Sequence, residues 1–405
     1  MNRFTRQMAS YLQQFGAVVR NEFRTIFTDG GVLLILVFAM LIYATAYSLA
    51  YGSQVLRNVP IGVVDACRTA TSRSLIETFN AGPNTYVAYE PTDMEEAREL
   101  FYGRKIYGVV YIPSDYERKL VGGSQADVAI YCDASYFLMY RQVFQELVTT
   151  IGQTGAMVEF RRLIAKGADI PQAQAVTQPV IYQSHNLFNP YLGYGTFVMP
   201  AIIIVIIQQT MLIGIGMIGG TWREHGLYRK LRPAGRGRMS TLPIVLGRAT
   251  VYALIYAVTC AYVLGLHYRM FHFPMNGQTG AVALFTAVYL AACIAMSIAV
   301  STLFRYRENS LLLLLWTSIP VLMLSGISYP REGIPEWMFA LGKFFPSSHG
   351  VNGFIRIQTM GASLGEVFAE IKWLVILTVA YGGLACIGIH QVIRREERER
   401  CGKGE

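Results

Sequence analysis

The side chains with types suited to chemistry are few and scattered. Asp65, Asp133, His185, Cys67 and Cys132 lie between residues 52 and 190, and Trp222-Arg223-Glu224-His225-Gly226 forms the densest charged cluster. General acid–base work needs two groups brought within reach of one proton. Asp65 and Asp133 each close a predicted strand, where a short carboxylate serves as a turn or cap residue. Metal ligation needs His, Cys or acidic partners at ligand spacing, and His185 stands alone among polar neighbours. The sequence holds no HExxH, paired CxxC or Gly-x-Ser-x-Gly. It also lacks Gly-x-x-x-x-Gly-Lys-Ser/Thr, so it cannot cradle and hydrolyse nucleotide by the P-loop route. No catalytic residue, metal site or bound cofactor is expected. Cys260, Cys293 and Cys386 fall in apolar runs as small packing residues, and Cys401 sits in a charged tail. Cys67 and Cys132, each at or just past a strand end, could pair if the compartment is oxidising.

The elements that carry these residues are mostly membrane spans. Hydrophobic residues make up 53% of the 405 and charged residues 15%, too apolar for a soluble chain of this length. Six uncharged runs are each compatible with a spanning helix of ~20 residues: 30–56, 191–222, 249–266, 280–304, 310–330 and 373–393. Gln208 and Gln209 are the main deep polar pair, serving helix packing or substrate contact. Basic residues cluster in alternate connections: Arg3, Arg6, Arg20 and Arg24; Arg223, Arg229, Lys230, Arg232, Arg236, Arg238 and Arg248; Arg305 and Arg307; Arg394, Arg395, Arg398, Arg400 and Lys403. The opposite short loops hold only Arg269, Arg331, Lys343, Arg356 and Lys372, so the positive-inside rule places both termini in the cytoplasm. The net charge of +9 is thereby a topology signal, and no nucleic-acid motif accompanies it.

One connection is too long to be a loop. Residues 52–190 alternate strand and helix patterns: strands at 60–65, 86–89, 107–112 and 127–132, helices at 72–80, 93–105, 114–120 and 137–166. In the last helix Phe137, Phe144, Leu147, Ile151, Val158 and Leu163 lie on or near one face. The expected fold class is an α-helical polytopic membrane protein with six transmembrane helices and an inserted extracytoplasmic α/β domain. Its parts are an amphipathic N-terminal helix (1–29), a first span (30–51), the α/β domain (52–190), spans two to six (191–393) and a charged tail (394–405). Met8, Leu12, Phe15, Val19, Phe23 and Ile26 form the apolar stripe of the first helix, suited to lie along the inner leaflet. Residues 222–248 form a cytoplasmic segment. After the fifth run, Ile334, Trp337, Met338, Leu341, Phe344 and Phe345 recur at helical spacing until Pro346 stops the pattern, within a Pro-rich hairpin at 330–360.

This ensemble resembles type 2 ABC exporter permeases (the ABC-2 type transporter permease family), in the subgroup with a large periplasmic domain between the first two spans. The most specific match is Leu324-Ser-Gly-Ile-Ser-Tyr-Pro330 with Ile334-Pro-Glu-Trp337 and Phe345-Pro346, whose Gly326, Pro330, Pro335, Trp337 and Pro346 are similar to the family signature. The resemblance implies a coupling helix within 222–231 that docks into a cytoplasmic P-loop ATPase subunit. There Trp222 precedes Arg223, Glu224, His225 and Gly226, which match an Arg-Glu-x-Gly core, while Leu227 and Arg229 depart from the usual Thr and Glu. It also implies an ATPase contact at Glu22, ATP and Mg on the partner, a second permease half (identical chain or paralogue) and a periplasmic adaptor. The implied location is a bacterial inner membrane. The implied function is export of a hydrophobic or amphiphilic substrate, drug or lipid-like. The competing expectation is a membrane sensor or mechanotransmitter whose outside domain binds a ligand or adaptor without translocating substrate.

Overall fold

The computed structural model describes residues 3–181, 183–231 and 241–401. The chain divides into two compact units, Val55–His185 and the remainder. The first helix, α1 (Arg3–Thr28), is followed by α2 (Gly30–Ala50), whose start is fixed by Asp29: its Oδ1 accepts from the N–H groups of Gly31 and Val32 at 3.0 and 3.1 Å, satisfying donors that a helix start leaves orphaned. The buried face of α1 carries Gln14, Val18, Glu22 and Ile26, while Leu12, Phe23 and Phe27 are exposed. The expected stripe therefore splits, because this helix has one apolar face for α9 and another left outside, and periodicity alone reports their sum. The side chain of Met8 lies outside the described set.

The unit at 55–185 runs β1 (Val59–Asp65), α3 (Ala70–Asn80), β2 (Thr85–Tyr89), α4 (Met94–Tyr102), β3 (Gly108–Ile112), α5 (Tyr116–Val121), β4 (Ala129–Cys132), α6 (Phe137–Ala165) and α7 (Ile170–Thr177). Strand order is β2-β1-β3-β4, with β1 parallel to both neighbours and β4 antiparallel to β3. Burial on both faces explains why β1 reads as a continuous apolar run. Ile61, Val63, Val110 and Ile112 meet Leu75 and Phe79 of α3 and Val143 and Leu147 of α6, while Val64 and Val109 pack with Ala97 of α4. The boundaries match the sequence pattern within a few residues. The pattern missed α7, whose start is set locally by Asp169 accepting from Gln172 N at 2.9 Å and by Pro171 in the first turn. In α6 the buried residues are Val143, Leu147 and Thr150, and Phe137 and Phe144 point outward, a correction to the expected face.

The other unit continues with α8 (Tyr194–Glu224), α9 (Leu242–Met270), α10 (Thr279–Ser301), α11 (Glu308–Leu324), α12 (Glu336–Gly342), α13 (Pro346–Phe354) and α14 (Phe368–Cys401). Among the described residues, α2, α8, α9, α10 and α14 are long and apolar enough to cross a membrane. The fifth run, 310–330, gives a shorter helix: α11 has 17 residues, about 25 Å at 1.5 Å per residue, against ~30 Å of hydrocarbon. It ends early because Gly326 takes φ +84°, a left-handed conformation that terminates helices. Two of the long helices, α9 and α14, outrun their apolar segments. α9 begins at Leu242, which brings Arg248, assigned from sequence to the cytoplasmic segment, inside a helix. Arg232, Arg236 and Arg238 and the tail residue Lys403 lie outside the described residues.

Candidate functional site

The residues expected to couple to a partner sit where α8 ends. Trp222, Arg223 and Glu224 form its last turn, His225 caps it, and Gly226 reverses the chain with φ +60°. Leu227 N donates to Trp222 O at 2.8 Å across that glycine, the wide closing bond of a Schellman end. A residue with a Cβ would strain this turn. A short 3₁₀ turn, Tyr228–Leu231, follows.

Three of the five cluster residues are fixed in place. The Trp222 indole is 2% exposed, meets the Tyr228 ring edge-on at 5.6 Å and carries the Arg248 guanidinium 5.0 Å above its face, a cation–π contact. Arg223 Nη1 donates to Thr302 O at the end of α10 (3.3 Å). Gly226 serves the turn. Only Glu224 and His225 are exposed; the His225 ring stays local, with Nδ1 2.9 Å from Thr221 O.

Glu22 is not at this surface. Its side chain and that of Arg248 are both 0% exposed, joined Oε1 to Nε at 2.9 Å, and the Tyr252 hydroxyl donates to the same Oε1. The carboxylate is spent inside the protein, holding α1 to α9 beneath Trp222. Opposite, Glu396 of α14 accepts from Arg229 N at 3.0 Å. The corner is thus tied to both ends of the chain. Sequence reasoning missed Arg248, Tyr252, Tyr228 and Glu396. The available signal for the first two was an arginine directly ahead of an apolar run with a tyrosine one helical turn later.

Beside this corner Asp29 also pairs with Arg307, Nη2 to Oδ1 at 2.9 Å and Nη1 to Oδ2 in parallel, a bidentate arrangement. The guanidinium hydrogen bond holds the Asp29 carboxyl below its ordinary range against the opposing effect of burial. A carboxyl depressed in the folded state contributes stability that is complete above the unfolded Asp value, near 4. That stability is lost as pH falls through the lower folded value. Thermal melts of Asp29→Asn and wild type are therefore expected to differ at about pH 7 and to differ less at about pH 3, below the unfolded Asp value. An equal gap at both values would remove the pair from the account.

The signature hairpin forms a second polar centre. Pro330 precedes a 3₁₀ turn (Arg331–Gly333), Pro335 precedes α12, and Trp337 is 66% exposed. Pro346 does not stop a helix: it occupies the first turn of α13, where its missing N–H costs nothing. α13 is buried along almost its whole length against α8, α10 and α14. Its start is satisfied by Gln208, whose Oε1 accepts from Ser347 N at 2.7 Å. Arg331 Nη2 donates to Ser348 O at 2.6 Å, the His349 ring stacks on Trp373 at 5.6 Å, and Arg356 and Asn352 both reach Glu370 Oε1.

The remaining candidates do not assemble. Asp65 Oδ1 accepts from Cys67 N and Arg68 N and its Oδ2 from Ser72 Oγ, while Asp133 accepts from Ser135; both are turn residues. Asp65 pairs with Ile112 and Cys132 with Gly108. Cys67 and Cys132 thus flank opposite ends of β3, about 13 Å apart along the strand, where a disulfide needs Cα atoms within about 7 Å. Both are free, and burial pushes the Cys132 thiol up to about 11. No group of three or more His, Cys, Asp or Glu could hold a metal among the described residues.

Residues 30–387 match the family described as ABC-2 family transporter protein. The chain is 25% identical over 385 residues to the inner membrane transport permease YhhJ of Escherichia coli (strain K12), covering 92% of this chain and 96% of the relative. It is 21% identical over 372 residues to the probable multidrug ABC transporter permease YbhR of the same organism, covering 91% and 96%. ABC transporter G family member 20 of Dictyostelium discoideum is 21% identical over 365 residues, 89% of this chain but 48% of that protein.

Proposed function

This chain belongs to the ABC-2 family of transporter proteins and is a multi-pass transmembrane permease, and from that premise we propose that it drives export by docking a separate P-loop ATPase at the end of α8. The observation that carries this reading is the asymmetry of the corner: Trp222, Arg223 and Tyr228 are locked to the bundle while Glu224 and His225 project from it. A lever needs such an arrangement. Its outer side chains take the partner's motion, and its inner ones pass that motion to α1, α9, α10 and α14.

Glu22 and Arg248 act here as positioning residues for Trp222. α11 completes six spans, both termini face the cytoplasm of a bacterial inner membrane, and the unit at 55–185 lies outside. Two permease halves and two ATPase subunits form the working assembly, with ATP and Mg held by the ATPase and a periplasmic adaptor at the exit. The substrate class is hydrophobic or amphiphilic, in keeping with the apolar spans and with the multidrug description of YbhR.

The test is the double variant Glu224→Ala/His225→Ala. Association with the co-expressed ATPase is expected to weaken about tenfold, or ~1.4 kcal/mol, with membrane insertion and melting temperature unchanged. Wild-type association and transport in that variant would overturn the docking assignment.

A further inference from the structure

Helix α6 has a second face that stays exposed among the described residues. Arg141, Phe144, Val148, Gly152, Gly155 and Glu159 follow one another at three- and four-residue intervals, so they form one stripe. Phe144 and Val148 are 43% and 45% exposed, and a Cβ added at Gly152 or Gly155 would meet nothing within 4 Å. Arg141 makes no ion pair among the described residues, and Glu159 receives Arg162 on Oε2 alone.

Along the stripe the order is cation, two bulky apolar groups, two glycines, anion. That order is self-complementary. Turned end for end about a two-fold axis near residue 150, Arg141 meets Glu159, Phe144 meets Gly155 and Val148 meets Gly152. We infer that this stripe is a homotypic contact, in which α6 of one copy packs antiparallel on α6 of a second copy of this chain. Isologous interfaces require such matching of a patch with itself, and bulky groups set over glycines let two helices approach closely. The charges at the two ends fix register more than they add affinity. A single helix pair is a small interface, so the contact aligns two permease halves already paired elsewhere. In that respect it rests on the proposed assembly, with the added statement that both halves are this chain.

The experiment uses two differently tagged full-length copies co-expressed in native membranes, one carrying Val148→Cys and the other Gly152→Cys. Mild oxidation is expected to give a two-tag disulfide product about fivefold above a Val148→Cys with Gln153→Cys control, since only the first pair has disulfide geometry. Arg141→Glu in both copies should lower that product about threefold, the worth of an exposed ion pair, and adding Glu159→Arg in both should restore it. Co-purification of the tags without oxidation reports pairing of the halves independently. If the tags co-purify and the 148–152 product stays at control level, the inference falls and the paired permease stands; if neither appears, the inference falls together with its statement that both halves are this chain, and the proposed pairing is left with a paralogue as the second half. Attachment of Val148→Cys to a different protein would also overturn the second copy as occupant.

Discussion

Arg248→Ala is expected to destabilise the membrane-embedded unit by about 3–5 kcal/mol, the cost of removing one partner of a buried ion pair. The substitution leaves the Glu22 carboxylate fully enclosed, with the Tyr252 hydroxyl as its remaining donor among the described residues. It also removes the cation above the Trp222 ring. Glu22→Ala should cost a similar amount by stranding the guanidinium. The paired replacement Arg248→Met/Glu22→Leu is expected to regain most of the loss, since an apolar pair of similar volume pays no charge desolvation. Melting of the detergent-solubilised protein checks the series. Equal stability of Arg248→Ala and wild type would mean that the pair does not hold α1 in place. If the double variant regains stability but not transport, the pair positions the proposed coupling corner at the end of α8 as well as bracing it.

Two glycines of α13 should be nearly as sensitive. A Cβ at Gly350 would stand 2.4 Å from the Tyr289 ring, and one at Gly353 would stand 2.3 Å from the Phe285 ring. Neither ring can yield easily: both are fully buried, and the Tyr289 hydroxyl donates to Ile204 O at 2.6 Å. Gly350→Ala and Gly353→Ala are each expected to cost about 1–3 kcal/mol, the range for overpacking a filled core. Gly382→Ala in α14, where nothing lies within 4 Å, should be neutral or slightly stabilising because alanine favours helix. If the α13 variants melt with the Gly382 variant, α13 is not seated as tightly as these contacts require.

The class of protein and the position of its long helices were legible because hydrocarbon leaves few options. A run of uncharged residues long enough to cross must be helical to satisfy its own backbone, and this can be read residue by residue. The strands of the 55–185 unit were legible for a similar reason, each being a short apolar run bounded by turn residues. Gly226 and Gly326 could be singled out by type, since a left-handed turn selects glycine within a few residues of chain. The exposed pair Glu224 and His225 was found with its neighbours but could not be told apart from them.

What the tertiary structure alone decided depends on partners distant in sequence. Glu22 and Arg248 are 226 residues apart, and nothing near either announces the other. The segment Pro346-Ser-Ser-His-Gly-Val-Asn-Gly-Phe354 has too little apolar periodicity to look buried; it is buried because Gln208, Arg331 and Glu370 satisfy its polar groups. The separation of Cys67 from Cys132 follows from strand register, which composition does not encode. In α1 and α6 the periodicity was correct while the buried face was not, because a helix with two apolar sides gives one periodic signal. Local dihedral preference and local hydropathy are carried by neighbours within a turn or two and so are written in the sequence; which apolar face meets protein, and which charges meet each other, is set only when segments hundreds of residues apart compete for the same contacts.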